Sequence, residues 1–368
     1  MSVGVEEEFL LADPVTRHLT PTAAAVVEHA AAALGPRVGP ELTAYQVETR
    51  TDPHSDLGEL TEQLYTTRLA LSAAATTRGT RLVASGAPVL SPPGPPPVTP
   101  GERYARSLAA FGALDDEQVC CACHVHLGIA DRDQAVKVSN HLRPWLPTLI
   151  ALSGNSPLWA GRDTGYASWR TITWHRWPVS GPPPVFASAA HYDDVVGELI
   201  ESGAVLDRAG VYWDIRPSTH VPTLEIRVAD TGATVADTVL LTALLRAAGT
   251  TVLRDPASPP PAADPVLLRA ACWRAARDGL DGFVPRPGGR GLVPAKRAVA
   301  DLVEWVGPEL RRAGDAELAE GLLARLFAQG TGAARQLRAF RRHGSLTGVV
   351  DELVEGTVSA PLGLPSVA

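Results

Sequence analysis

The predicted strands and helices of this chain follow one another without the regular strand–helix–strand rhythm of a parallel sheet. Such an irregular order indicates an antiparallel sheet with helices packed against it, the α+β class. The chain has 368 residues, 45% of them hydrophobic, which is enough for a sizeable core. We predict strands at 3–11, 41–51, 81–85, 119–129, 211–216 and 223–229, and helices at 21–33, 56–78, 131–153 (kinked at Pro144 and Pro147), 190–204 and 234–253.

The proline-rich stretch at 86–102 either links two domains or forms a surface loop within one. We favour the loop, because the motifs on its two sides serve one site. Residues 251–368 are predicted to be mostly helical, with breaks at 255–263 and 285–294. The prediction is therefore a single catalytic domain over 1–368, with its motifs in 3–250.

Charge and hydropathy exclude several classes of partner. The net charge of −7 argues against nucleic acid, which usually needs a basic surface. No stretch of about 18 apolar residues lacks charge and proline, so no membrane span is predicted. The N-terminal MSVGVEEEFLL lacks the basic start and long apolar run of a signal peptide. We expect a cytoplasmic protein that is a homo-oligomer and acts on small molecules.

Acidic side chains occupy one face of two predicted strands. In VGVEEEFLL, Glu6 and Glu8 point to the same side and Glu7 to the other. Carboxylates on one face repel each other unless a cation lies between them, and oxygen ligands suit Mg²⁺ or Mn²⁺. ELTAYQVETRT adds Glu48 within a strand and Glu41 at its start. The alternative for both segments is a solvated strand face or edge.

The segment CACHVHLGI places His124 and His126 on one face of an apolar strand. Buried imidazoles need partners, so they are either metal ligands or hydrogen-bonded core residues. Its cysteines could indicate zinc, but no second Cys/His cluster with suitable spacing follows. The simpler interpretation is that these cysteines are small, reduced, buried residues.

In WDIRPSTHVPTLEIRVAD, Glu225 and Arg227 share a strand face, and Arg216 lies on the preceding strand. An acid for a metal beside an arginine for phosphate is the pairing that phosphoryl transfer needs. A ladder of cross-strand salt bridges is the alternative, chiefly for Asp214 and Asp230.

The segment 153–178, SGNSPLWAGRDTGYASWRTITWHRWP, holds four of the eight tryptophans together with Asn155, Ser156 and Arg170. Arginine among aromatic residues can hold a substrate carboxylate, although a packed tryptophan-rich loop would have the same composition. The sequence contains no Walker motif, GxGxxG or GxSxG.

Taken in order, GVEEEFLL, QVETRTDP, CHVHLGI, SGNSPLWAGRDTGYASWR, WDIRPS and TLEIRVAD resemble the motifs of carboxylate–amine ligases of the glutamate–cysteine ligase type 2 family. The resemblance covers residues 3 to about 250, with Ala122 where the family has glycine. It implies a glutamine synthetase-like fold, in which a curved antiparallel sheet forms a funnel with helices packed behind it.

The resemblance also implies roles for single residues. Arg216 and Arg227 would contact the phosphates of ATP, and Arg170 would bind the carboxylate substrate with Asn155 and Ser156. His126 would stand behind the metal ligands or face the substrate. The implied Mg²⁺ ligands (Mn²⁺ is possible) are Glu6, Glu8, Glu48, His124 and Glu225, with Glu41 as a further candidate.

The implied reaction has two steps. ATP phosphorylates a carboxylate, and an amine then attacks the acyl phosphate to give an amide, ADP and phosphate. Glutamate and cysteine are the substrates that the family name implies, and other amino acids or amines stay open. A metal-dependent hydrolase that needs no nucleotide is the first alternative, and a binding protein that has kept the fold is the second.

Overall fold

The computed structural model describes residues 1–255, 257–289 and 291–361. Parts of the predicted helical tail and its breaks, at 256, 290 and 362–368, lie outside these residues. The described chain combines helices with an antiparallel sheet, so the α+β prediction is confirmed.

A seven-stranded sheet forms the centre of the molecule. Its strands are β1 (Val3–Ala12), β2 (Val38–Pro40), β3 (Gln46–Arg50), β4 (Arg81–Val83), β5 (Ala122–Gly128), β6 (Ile215–Pro217) and β7 (Thr223–Asp230). The strand order is β6-β7-β5-β1-β3-β2, and β4 pairs with the end of β1; every one of these pairs is antiparallel. Two-residue and three-residue strand pairs outside this sheet join Leu158–Trp159 to Arg162–Asp163, Ser180–Gly181 to Tyr212–Trp213, and Phe283–Pro285 to Leu292–Pro294.

Helices surround the sheet and make up most of the C-terminal third of the chain. They are α1 (Ala23–Leu34), α2 (Leu57–Thr77), α3 (Glu102–Phe111), α4 (Ala113–Asp116), α5 (Arg132–Leu142), α6 (Leu146–Ser153), α7 (Trp169–Trp174), α8 (Ala189–Glu201), α9 (Val235–Arg254), α10 (Pro265–Asp278), α11 (Ala295–Ala313), α12 (Ala316–Gln329), α13 (Gly332–His343) and α14 (Leu346–Thr357).

The predicted strand at 41–51 is too long by six residues, because β3 covers only Gln46–Arg50. Strand β2 pairs with β3, with Pro40 opposite Val47. The residues between them must therefore form the hairpin connection, and Glu41 lies in this loop rather than in a strand. The predicted helix kink is present, because Arg143–Trp145 forms a 3₁₀ turn between α5 and α6. Pro147 lies in the first turn of α6, where the missing N–H costs no hydrogen bond.

Helices α3 and α4 were not predicted, and they follow the proline-rich loop. Helix α3 is strongly amphipathic, yet none of its residues is buried. It lies over the sheet face opposite the main helical core and forms one wall of the cavity described below.

The back of the sheet packs against α2, α6 and α9 in the largest hydrophobic cluster. Val125 of β5 and Ile226 of β7 belong to this cluster, and so do Cys272 of α10 and Val299 of α11. Helices of the C-terminal tail therefore share the core of the sheet, and the opposite face is left for polar side chains.

Glu7, the middle acid of the first motif, points to this back face as predicted. It is 1% exposed and accepts a hydrogen bond from Arg68 Nε at 2.9 Å; Arg68 lies in α2 and is fully buried. Thr238 Oγ1 of α9 donates a second bond at 2.6 Å. This buried ion pair fixes which face of β1 the neighbouring glutamates occupy.

Helix α9 is the one described helix that is long and apolar enough to cross a membrane. However, 83% of its most apolar 18-residue window is buried inside the protein. Its composition is explained by its position in the core.

Candidate active site

The strand register places the predicted acidic and imidazole side chains on the open face of the sheet. Residues that pair directly across antiparallel strands project from the same side, and so do alternate residues of one strand. Five strands contribute to the resulting polar surface: β1, β3, β5, β6 and β7. The register pairs are Glu8 with Glu48, Glu6 with His124, His126 with Glu225, and Glu225 with Arg216.

This polar surface lies in a cavity of about 740 Å³, a volume typical of small-molecule sites. Helix α3 and the tryptophan-rich segment line the same cavity. The predicted site residues that line it are Glu6, Glu8, Glu41, Glu48, His124, His126, Arg170, Arg216, Glu225 and Arg227.

His124 lies at the centre of the acidic cluster. Its Nδ1 is 3.2 Å from Glu6 Oε2 and 3.8 Å from Glu225 Oε1, and its Nε2 is 3.9 Å from Glu8 Oε1. The side chain is buried, and its Nε2 has no hydrogen-bond partner among the residues that the structure describes. An imidazole surrounded by carboxylates in this way has a nitrogen free for a ligand.

His126, two residues further along β5 on the same face, has a similar arrangement. Its Nδ1 is 2.8 Å from the hydroxyl of Thr223, which fixes the ring, and its Nε2 is 3.5 Å from Glu6 Oε1. Within the described part of the chain this Nε2 also has no hydrogen-bond partner. A histidine anchored through one nitrogen and open at the other is typical of metal ligands.

Two groups of side chains bring potential metal-ligand atoms within 4.8 Å of one another. Glu6 belongs to both groups, Glu48 and His124 complete one, and His126 and Glu225 complete the other. His126, which sequence analysis placed behind the ligands or toward the substrate, is therefore positioned like a ligand. Carboxylate oxygens with imidazole nitrogens suit Mg²⁺ and Mn²⁺.

Glu8 and Glu41 each make a backbone contact beside this cluster. Glu8 Oε2 accepts a hydrogen bond from Ala122 N at 2.7 Å, which leaves Oε1 directed toward His124. Glu41 Oε2 accepts one from Leu42 N at 2.7 Å. Neither glutamate belongs to the two ligand groups found among the described residues.

Burial and mutual repulsion shift the acidity of the cluster. Burial, with the charge of Glu41 added to it, raises the pKa of Glu8 to about 8. Burial also raises the pKa of Glu41, and burial together with the charge of Glu6 raises that of Glu48 well above its usual range. Burial and the nearby Arg227 lower the pKa of His124 to about 4. A bound cation would offset the repulsion among these carboxylates.

Arg216 and Arg227 both pair with Glu225, the acid predicted to share their site. Arg216 Nε donates to Glu225 Oε2 at 2.8 Å, and Arg227 Nη1 donates to Oε1. Burial opposes ionisation of Glu225, but the two guanidinium groups hold its pKa below the usual range. Arg227 lines the cavity, and its Nε is buried with no hydrogen-bond partner within the described chain.

Arg170 lines the cavity from α7, where its guanidinium lies 5.6 Å from the ring centre of Trp174. Its Nη2 donates to the carbonyl of Arg227 at 3.1 Å, and Nε has no partner in the described chain. The guanidinium is thus held rigidly, its Nε is buried, and the carboxylate-binding role of Arg170 stays a prediction.

Asn155 and Ser156 do not line the cavity, in contrast to their predicted place beside the substrate. The Asn155 amide binds backbone carbonyls of Ala84 and Thr231 at 3.1 and 2.9 Å. Ser156 Oγ donates to Asp230 at 2.6 Å and accepts from Arg170 N at 3.0 Å. Both follow α6 directly into the interior, so they position Arg170 and β7.

Several other lining residues had no assigned role in the sequence analysis, among them three aromatic residues and one acid. Trp174, Trp177 and Tyr212 form an aromatic wall with ring centres 4.9 to 6.3 Å apart. Asp115 of α4 also lines the cavity. The tryptophans were noted as a cluster, but Asp115 stands in the acidic run DDE, which resembles an exposed loop.

The zinc alternative finds no support in the described residues. All four cysteines are free and buried, and none belongs to a potential ligand group. Burial raises the pKa of the Cys120 thiol to about 12, and those of Cys121 and Cys123 also rise. Protonated, buried thiols match the simpler interpretation.

Comparison with known proteins agrees with the motif resemblance. A family model described as glutamate–cysteine ligase family 2 matches residues 2–355. A Saccharopolyspora erythraea protein provisionally named glutamate–cysteine ligase 2-1 is 48% identical over 358 residues, covering 97% of this chain and 95% of the relative. A Nocardia farcinica protein with the same provisional name is 47% identical over 363 residues, covering 97% and 93%.

Solved structures confirm the fold. Glutamate–cysteine ligase from Francisella tularensis in complex with AMP has a TM-score of 0.69 at 12% identity, covering 98% of this chain and 90% of that one. A bifunctional glutathione synthetase from Pasteurella multocida has a TM-score of 0.66 at 14% identity, covering 97% and 52%. The predicted ligase fold is therefore correct. The family match covers residues 2–355. This chain belongs to glutamate–cysteine ligase family 2 and is a ligase that forms carbon–nitrogen bonds.

Proposed function

We propose that this ligase uses ATP and Mg²⁺ to convert a substrate carboxylate into an acyl phosphate, which an amine then attacks to give an amide. One observation carries the proposal. Glutamate and histidine side chains from four strands converge in one cavity beside two arginines. Phosphoryl transfer requires this combination of metal-binding oxygens and planar cationic donors.

The residues present fit divalent cations. Glu6, Glu48 and His124 would hold one ion, and Glu6, His126 and Glu225 a second, because their ligand atoms already lie within 4.8 Å of one another. The unpartnered Nε2 atoms of the two histidines support this assignment. Bound Mg²⁺ would supply charge neutralisation at the phosphates. Glu8, with one oxygen directed at His124, is the further ligand that we propose, and Glu41 remains a candidate.

The arginines perform the remaining electrostatic work. Arg227 would donate from its free Nε to an oxygen of the transferring phosphoryl group, while its other end stays fixed on Glu225. Arg216 is anchored by two backbone carbonyls, at 2.9 and 2.6 Å, and would hold the neighbouring phosphate. Donors that are already held in place need no reorganisation as charge develops on the phosphoryl group, which lowers the activation barrier.

Arg170 would orient the acid substrate through its free Nε, and the wall of Trp174, Trp177 and Tyr212 would exclude water from the acyl phosphate. Exclusion of water matters because hydrolysis of the intermediate would waste ATP. Asn155 and Ser156 would act indirectly, by holding the carboxylate of Asp230 and the backbone of Arg170 in place.

The names of the relatives make glutamate and cysteine the first substrate pair to test. A structural neighbour crystallised with AMP supports use of an adenine nucleotide. Other amino acids and amines belong in the same test, because no residue in the cavity identifies a thiol-bearing side chain.

A phosphate-release assay with a panel of acids and amines tests the proposal. We expect release that requires Mg²⁺, an acid and an amine together. Glu225→Gln should reduce the rate by roughly 100-fold or more, because it removes both a ligand and the partner of two arginines. Glu62→Gln, an exposed change on α2, is the control. If folded wild-type protein releases no phosphate with any acid and amine of the panel, the proposal is contradicted.

The hydrolase alternative receives no support from the family match or from the relatives, all of which are ligases by name. The non-catalytic alternative also weakens, because each predicted metal ligand and phosphate-binding arginine lines the cavity. We further propose a cytoplasmic location and a homo-oligomeric assembly, as expected from the sequence. Cell fractionation and light scattering test these two proposals.

A further inference from the structure

The helical wall of the cavity contains a carboxylate that the proposed reaction does not use. Asp115 of α4 is 1% exposed and lines the cavity. Neither of its oxygens meets a hydrogen-bond donor at bonding geometry in the described chain. The Ser107 hydroxyl lies near enough to lower its pKa, and this partly opposes the increase caused by burial.

A buried carboxylate without a cationic partner is energetically costly. Asp115 forms no salt bridge with an arginine, lysine or histidine of residues 1–255, 257–289 or 291–361. Such a group destabilises the free protein, and a partner supplied on binding would account for it. A ligand that enters the cavity can supply this partner, because Asp115 lines it.

The surroundings of Asp115 favour an organic ammonium group over a metal ion. Asp115 belongs to neither potential metal-ligand group of the described residues. Trp177 lines the same cavity, with Tyr212 and Phe111 packed against it at 5.1 and 5.0 Å between ring centres. Aromatic faces beside a carboxylate attract alkylammonium groups, whereas Mg²⁺ prefers several oxygen ligands.

The same cavity offers donors for a carboxylate. The Arg170 Nε and the Trp177 Nε1 are both buried without a hydrogen-bond partner in the described chain. Trp174 lies between them, 5.6 Å from the Arg170 guanidinium and 6.3 Å from Trp177. Unpaired donors and an unpaired acceptor in one aromatic-walled cavity complement a zwitterion.

We propose that Asp115 receives the ammonium group of an amino-acid substrate and selects for substrates that bear one. This inference rests on the proposed ligase function and names a specificity residue within it. The group that Asp115 holds must be a non-reacting ammonium, because the attacking amine has to be neutral. The ammonium belongs either to the acid substrate or to a second amino group of the amine substrate.

Matched pairs of substrates separate these two sources. The acid arm compares L-glutamate with glutarate and L-aspartate with succinate, and the amine arm compares ethylenediamine with ethylamine. We expect Asp115→Asn to reduce kcat/KM about 10- to 100-fold, mainly through KM, for the member with the extra ammonium. The deaminated twin should be unaffected, and the arm that responds identifies the source.

Asp116→Asn is the matched control, since it removes the same charge at the next position, which does not line the cavity. Equal losses for both members of every pair, a fall in kcat with unchanged KM, or the same loss in the control would overturn the proposal. Melting temperature gives a second readout: Asp115→Asn should melt at or above wild type, because it removes an unpaired buried charge. A clear fall would indicate a structural role and contradict the inference.

The same melting assay, run with each pair and without ATP, keeps this inference separate from the ligase proposal. If no acid and amine release phosphate with the wild type, the ligase proposal fails. Asp115 is then still tested, because ammonium-bearing ligands must raise the wild-type melting temperature more than their twins do. Equal shifts for both twins in every pair would overturn it.

Discussion

At the scale of single residues, the site concentrates charge that a folded protein normally avoids. Burial, and the charge of neighbouring carboxylates in addition, push Glu8, Glu41 and Glu48 toward protonation. The cost of this arrangement is evidence for what binds there, since a divalent ion would turn repulsion into attraction.

This cost makes the stability of the metal-free protein depend on pH. A carboxyl whose pKa is higher in the folded state stabilises the fold below its unfolded pKa, and that stability is lost as the pH rises through the folded value. Because the pKa of Glu8 is about 8 in the folded state, the stability of the metal-free protein should fall between pH 6.5 and 8. The pKa of His124 is lowered to about 4, so the stability that this residue contributes is lost in the opposite direction, as the pH falls below 6.5.

Thermal melting in EDTA at pH 6.5 and 8 measures this effect. We expect Glu48→Gln to flatten the decline, because it removes one of the coupled carboxyls, and Glu62→Gln to leave it unchanged. Added Mg²⁺ and nucleotide should stabilise the wild type more at pH 8, where fewer protons compete. A melting temperature that does not change between the two pH values would contradict the assignment.

At the scale of elements, the sequence predicted which strands carry the site but not how the chain encloses it. The alternation in VGVEEEFLL and CHVHLGI determined the side on which Glu6, Glu8 and the histidines lie, because strand periodicity is local. The positions of Asn155 and Asp115 depend on how loops cross the sheet, which no local pattern encodes. Helix α3 was missed for a related reason: its apolar face packs on no core.

The buried pair of Glu7 and Arg68 holds β1 on α2 and thereby orients the site. Arg68→Ala should lower the free energy of unfolding by about 3–5 kcal/mol, because it leaves Glu7 buried without its partner. Arg78→Ala, an exposed change just after the same helix, is the control and should cost far less. Urea unfolding measures both, and a loss of under about 1 kcal/mol for Arg68→Ala would show that the pair is dispensable.

At the scale of the whole molecule, the account predicts one cooperative unit. Helices of the C-terminal tail share the hydrophobic core with the sheet, and Gln336 of α13 donates to Asn155 Oδ1 at 2.8 Å. We therefore predict that the proline-rich stretch at 86–102 is a loop within this unit, the alternative that the sequence analysis favours.

Urea unfolding followed by two probes tests this unity. Far-ultraviolet circular dichroism reports on all helices, and tryptophan fluorescence reports on the chain between Trp145 and Trp305, with four of the eight tryptophans in segment 153–178. For a single domain, both transitions should coincide at the same midpoint. Separate midpoints would show that the tail or the segment before the loop unfolds independently.

The claim that unites these scales is that the acid–imidazole cluster holds the cation through which a nucleotide binds. Calorimetric titration with a non-hydrolysable ATP analogue tests it, in Mg²⁺ and in EDTA, for wild type, Glu48→Gln and Glu62→Gln. The account predicts binding that requires Mg²⁺, weakens about 10-fold or more in Glu48→Gln, and is unchanged in Glu62→Gln. Equal affinity in EDTA, or full affinity in a folded Glu48→Gln protein, would contradict it.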